Sequence, residues 1–163
     1  GEPDQDNSLR RIDADFILNK SQYKNAKILL ARDNYGCGSS REHAVWAMLD
    51  YGFRAVISTS FADIFFSNCF KNGLLPIVLE KSVVDKLFDA SLNDAEYQVS
   101  IDLEKQQVVA DNIGSYDFDI DTFKKHCMLN GLDEIEITLQ YQDEIHAYEE
   151  KLKESSPWLF IHD

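Results

Sequence analysis

The chain has 163 residues, of which 44% are apolar, enough for one domain with a sizeable core. Its formal net charge of −13 argues against a nucleic-acid backbone or an anionic membrane as partner, since both need a basic patch. The three cysteines, Cys37, Cys69 and Cys127, contain no Cys-x-x-Cys pair and suit a reducing compartment, the cytoplasm, better than a disulfide framework.

No apolar run approaches the roughly 18–20 residues of a membrane span, and no signal peptide is visible. The chain opens Gly1-Glu2-Pro3-Asp4 without Met, as a truncated or cleaved form would. Residues 1–14 are polar, with little periodicity, and read as a tail or loop. Residues 26–31 (AKILLA) read as a buried strand. The segment 41–51 carries Ala44, Val45, Met48 and Leu49 on one helical face, and Gly52 is its stop. Residues 55–59 (AVIST) make a second strand, rich in β-branched side chains. Ser60, with Asp63 three residues on, reads as the cap of a second helix that ends at Gly73, before a third strand over 75–79. Strand–helix–strand–helix–strand implies parallel pairing. Beyond it the pattern gives a helix over 83–90 and a hairpin of 97–103 with 107–110 around Glu104-Lys105. A short strand over 116–120 and a helix over 122–129 with an Asn130-Gly131 stop come next. A strand over 135–139 and an amphipathic helix over 143–153 complete the pattern. It predicts an α/β or α+β fold with residues 15–163 as one domain.

The chemistry concentrates in residues 36–44, GCGSSREHA. They fall between a strand and a helix, where glycines allow a tight turn and unpaired N–H groups favour an anion. Ser39 and Glu42 have capping-box spacing, so by position alone Ser39 is a helix cap. Ser40 and Arg41 add a hydroxyl and a planar guanidinium fork that matches a carboxylate. An Arg at a helix start opposes the helix dipole, which argues for a role beyond helix stability. Asn34, Gly36 and Gly38 are the residues that shape the turn. His43 reads as structural rather than catalytic, and so do Asp63 and Asn68 of the second helix, on which Asn72 also lies. Cys37 has no neighbouring thiols with which to hold a cluster, so the chain carries no metal site of its own.

The stretch 32–44, RDNYGCGSSREHA, resembles the signature of the swivelling domain of the aconitase superfamily. Residues 50–77, DYGFRAVISTSFADIFFSNCFKNGLLPI, and 123–140, FKKHCMLNGLDEIEITLQ, are similar to the small-subunit family of bacterial 3-isopropylmalate dehydratases. The resemblance implies a swivelling β/β/α domain with a central mixed sheet and flanking helices. It makes Ser39 the base that removes a proton beside a carboxylate, with Ser40 and Arg41 holding substrate carboxylate. It implies a hydro-lyase of leucine biosynthesis that interconverts 2- and 3-isopropylmalate by dehydration and rehydration. It also implies a heterodimer with a large subunit that carries a [4Fe–4S] cluster, and a crevice between the subunits where a small dicarboxylate reacts. The chain alone should then be inactive. The family's N-terminal stretch, with a first strand and a specificity loop, has no counterpart before Phe16, which suggests truncation. Two other readings share the motif: the small subunit of a citraconate, homoaconitate or aconitate hydratase, and a non-catalytic anion-binding or interaction module. The apolar run 158–161 suits either docking to a partner or burial as a terminal segment.

Overall fold

Three aliphatic runs, Ile28–Leu30 (β1), Ala55–Ser58 (β2) and Leu75–Val78 (β3), pair in parallel in the order β1-β2-β3. The computed structural model describes residues 12–160. Leu29 stands opposite Val56, and Ile57 opposite Ile77. All four residues of β2 are buried, as a strand covered on both faces requires. Pro76, which has no N–H to give to a ladder, lies in β3 at one edge of the sheet.

Helix α1 (His43–Tyr51) links β1 to β2, and α2 (Asp63–Lys71) links β2 to β3. Gly52 closes α1 in the left-handed region with φ 117°, donating its N–H to the carbonyls of Met48 and Leu49. Val45 of α1, Phe65 and Cys69 of α2, and Phe53, Val56 and Leu74 form one buried cluster with Ala31. Each large apolar side chain in it contributes about 1.5–3 kcal/mol by leaving water. Helix α3 (Lys81–Asn93) follows β3 and buries Val83, Val84 and Leu87.

A second, antiparallel sheet contains β4 (Val99–Asp102), β5 (Gln107–Ala110) and β6 (Gly114–Asp117) in that order. The Asp102 carboxylate accepts the Lys105 N–H at 2.9 Å, and Gln106 takes φ 55°, which closes the hairpin at the expected place.

The chain divides into two compact units after Ile120, within the span 15–163 read from sequence as one domain. The second is helical: α4 (Thr122–Asn130), α5 (Glu134–Leu139) and α6 (Gln142–Ser155), followed by a 3-10 turn at Pro157–Phe160. Asp121 caps α4 by accepting the Lys124 N–H, and Gly131 stops it with φ 65°.

The α/β class holds, with the parallel and antiparallel strands divided between two sheets rather than joined in one central mixed sheet. The strand expected over 135–139 is helix α5. The alternation Ile135-Glu136-Ile137 suggested a strand. A reciprocal capping box overrides it: the Asp133 carboxylate accepts the Ile135 and Glu136 N–H groups at 2.8 and 2.7 Å, and the Glu136 carboxylate accepts the Asp133 N–H at 3.0 Å. Ser60 does not cap α2, whose N-cap is Ala62 without a side-chain bond. The expected tail lies outside the described residues as far as residue 11, and so does Ile161 of the C-terminal apolar run.

Candidate active site

The loop of interest leaves the C-terminal end of β1, where ligands of parallel α/β sheets commonly bind. Its first residues are tied down. Arg32 pairs with Asp85, which Lys81 also reaches at 2.9 Å, and its guanidinium lies 4.1 Å from the centre of the Phe88 ring. This arginine is therefore already engaged. Asp33 accepts the Thr59 hydroxyl at 3.0 Å. Asn34, in the left-handed region at φ 55°, donates its N–H to Oγ of Ser60 at 2.7 Å. Tyr35 donates its N–H to the Ser60 carbonyl at 3.0 Å and accepts the Ala62 N–H at 2.9 Å. The buried Ser58 hydroxyl lies 2.7 Å from the Arg32 carbonyl and 2.8 Å from that of Ser60. Ser58, Thr59 and Ser60 thus form a polar rail along the end of β2 on which the loop hangs. The sequence reading put Ser58 and Thr59 in the second strand and made Ser60 a helix cap, and so missed this rail.

The turn itself follows. The Tyr35 ring meets Phe65 edge-on at 5.3 Å, and its hydroxyl reaches the Met48 sulfur at 3.3 Å. Burial raises the Tyr35 pKa, with a smaller contribution from Cys69. Gly36 has φ 86°, and a Cβ there would lie 2.2 Å from Cγ of Phe65. Glycine is required at this position on both counts. Gly38 differs: a Cβ there would meet nothing within 4 Å, so the side of the loop next to Ser39 is open. Cys37, Ser39, Ser40 and Arg41 are all exposed.

The start of α1 departs from the sequence reading. The helix begins at His43 rather than at residue 41, its N-cap is Glu42, and no side chain caps it. Ser39 lies outside the helix, where its Oγ accepts the Arg41 N–H at 3.2 Å. The expected capping box is absent because the first turn starts later than the Ser39–Glu42 spacing requires. The Glu42 carboxylate instead accepts from Asn72 at 2.7 Å. The N–H groups of Ala44, Val45 and Trp46 already bond to the carbonyls of Arg41 and Glu42. Those of Glu42 and His43 have no acceptor among the described residues. The Arg41 guanidinium has no ion-pair partner there either. The His43 ring lies against that of Trp46 at 4.5 Å. Asp63 sits in the first turn of α2, where its charge complements the helix dipole. The Asn68 carbonyl accepts from the Asn72 side chain at 2.8 Å.

Among the described residues no three His, Cys, Asp or Glu side chains converge on a point. Cys37 is exposed, Cys69 buried and Cys127 half-buried, all three free. Burial pushes the Cys69 thiol up to about 12, which keeps it protonated at neutral pH. A cleft of about 650 Å³ runs along β1 between Ile17 and Val99, lined by none of residues 36–41. It is mostly apolar, whereas a dicarboxylate needs convergent donors such as those of the loop.

Three family models match along the chain. The aconitase C-terminal domain matches residues 1–82 and LeuD_N residues 85–122. The C-terminal domain of the 3-isopropylmalate dehydratase small subunit matches residues 134–161. The 3-isopropylmalate dehydratase small subunit of Hahella chejuensis is 58% identical over 161 residues, covering 99% of this chain and 75% of that protein. That of Neisseria meningitidis serogroup C is 59% identical over 160 residues, covering 98% of this chain and 75% of the relative. This chain belongs to the 3-isopropylmalate dehydratase small-subunit family. A crystal structure of 3-isopropylmalate dehydratase from Methanocaldococcus jannaschii has a similar fold, with a TM-score of 0.58 at 30% identity. That match covers 77% of this chain and 70% of the other. The loop between β1 and α1 brings two exposed serines together with an arginine that has no ion-pair partner among the described residues.

Proposed function

We propose that this chain is the small subunit of a 3-isopropylmalate dehydratase, a hydro-lyase that works with a large subunit in leucine biosynthesis. It interconverts 2-isopropylmalate and 3-isopropylmalate by dehydration and rehydration. The observation that carries this reading is the 58–59% identity to proteins of that name over 98–99% of the chain.

The loop geometry supports a division of labour. Ser39 is the base: its exposed Oγ removes the proton from the carbon beside a carboxylate as hydroxide departs from the neighbouring carbon. Adding hydroxide to the other carbon of the double bond, as Ser39 returns the proton to the carbon that lost hydroxide, gives the isomer. A serine alkoxide needs nearby positive charge and amide donors. The Arg41 N–H already donates to Ser39 Oγ at 3.2 Å, and the Arg41 guanidinium and the N–H groups of Glu42 and His43, without acceptors among the described residues, lie within the next four residues. Arg41 and Ser40 hold substrate carboxylate, the planar fork pairing with both oxygens. Gly36 and Asn34 fix the turn, and the open side of Gly38 leaves room for substrate. The Lewis acid for the departing hydroxyl is assigned to the large subunit as a [4Fe–4S] cluster; among the described residues no three His, Cys, Asp or Glu side chains converge to hold one. We place the enzyme in the cytoplasm, in keeping with its three free cysteines. Among the described residues no helix is long and apolar enough to cross a membrane.

The test is anaerobic reconstitution with the iron–sulfur large subunit, following the ultraviolet absorbance of the unsaturated intermediate. Activity should need both chains, and Ser39→Ala should lower kcat by about 10²–10⁴-fold, the usual share of a general base. A mixture that turns over neither isomer overturns the assignment. Full activity in Ser39→Ala removes Ser39 from the chemistry.

A further inference from the structure

Asn72, the residue that ends α2, ties Glu42 and Trp46, 30 and 26 residues away, to the Asn68 carbonyl of its own helix. Its Nδ2 donates to the Glu42 carboxylate at 2.7 Å and to the Asn68 carbonyl at 2.8 Å. Its Oδ1 accepts from Nε1 of Trp46 at 2.7 Å. The partners fix the amide orientation, since an indole N–H only donates and an ionised carboxylate only accepts. A side chain carrying both a donor and an acceptor is therefore needed here. Asp lacks the donor for Glu42, and an apolar residue lacks both.

Glu42 directly follows Arg41. A loose carboxylate beside a guanidinium is its natural partner, and a bidentate pair would occupy the fork that the substrate must use. In this structure the Glu42 carboxylate is turned to Asn72, and Arg41 has no ion-pair partner among the described residues. We propose that Asn72 is a positioning residue that holds Glu42 away from Arg41 and so keeps the guanidinium free for a substrate carboxylate. The inference rests on Arg41 being the carboxylate clamp of the proposed function. The bond from Trp46 strengthens the hold, because it locks the same amide against the first turn of α1.

The experiment uses the full chain reconstituted with the large subunit and measures KM and kcat for isopropylmalate. Asn72→Ala should raise KM about fivefold, the scale of a competing exposed ion pair, with kcat little changed. Adding Glu42→Gln should bring KM back to the wild-type value, since the amide cannot form that ion pair. Simple loosening of α1 would not be repaired by this second change. Asn72→Asp serves if the alanine variant folds poorly, as it keeps the volume and the Trp46 bond. It should show the same KM rise and the same repair by Glu42→Gln, whose amide can donate to Asp. An unchanged KM in both Asn72 variants overturns the proposal, and so does a rise that Glu42→Gln leaves in place. An Arg41→Lys variant run alongside separates the two levels. If it binds substrate as well as wild type, the clamp itself is misassigned and the role of Asn72 falls with it.

Discussion

At Gly36 two constraints meet in one residue: a φ of 86° and the Phe65 ring where a Cβ would stand. Gly36→Ala should cost about 2–4 kcal/mol, adding the strain of a left-handed alanine to that of an overfilled core. Gly38→Ala, facing open space, should stay within about 0.5 kcal/mol of wild type. Urea unfolding of the two variants measures both values, and equal costs would contradict the packing described here. The sequence pointed to both glycines, because the motif holds them two apart, but it could not separate them. The distinction depends on Phe65, which belongs to another helix. Asn72 was hidden for the same reason: its partner Glu42 lies 30 residues away.

Among the elements, the helices after Ile120 show how local signals compete. The stretch 135–139 alternates like a strand, yet the Asp133–Glu136 capping box starts a helix there. Both signals were present in the sequence. The box prevails because two side chains, through three hydrogen bonds, satisfy three amide donors at once. Asp133→Ala should cost about 1 kcal/mol of local stability, read as faster amide hydrogen exchange at Ile135, Glu136 and Ile137. Unchanged exchange there would show that the cap is not what holds α5. The error at α1 is the opposite case. Ser39 and Glu42 have capping-box spacing and form no box, since the Glu42 side chain is taken by Asn72 and the helix starts at His43.

At the scale of the whole molecule, stability depends on the cluster that packs α1 and α2 against the parallel sheet, with Cys69 fully buried in it. The folded thiol is raised from 9.0 to about 12 by burial, so the folded state holds its proton more tightly than the unfolded state. Its contribution is complete below the unfolded value of 9.0 and is lost as pH climbs toward about 12. Wild-type Tm should therefore fall from about pH 8 to about pH 10.5 more steeply than that of Cys69→Ala, whose side chain fits the site without overpacking and has no proton to lose. Parallel slopes would mean that the thiol does not ionise on unfolding in this range.

By itself the sequence determined the strand–helix–strand–helix–strand order, the hairpin at Lys105 and the stops at Gly52 and Gly131. It also marked the loop with two serines and an arginine. These features are written in periodicity, in turn chemistry and in a contiguous motif, all of which act over a few residues. The tertiary structure alone decided that the strands divide between two sheets, and that the loop hangs from Ser58, Thr59 and Ser60. It alone decided that Arg32 is paired with Asp85 while Arg41 lacks an ion-pair partner among the described residues. Those outcomes turn on which side chains meet across helices and strands. A hydrogen bond between residues 26 or 30 positions apart forms only once the sheet and its helices have packed.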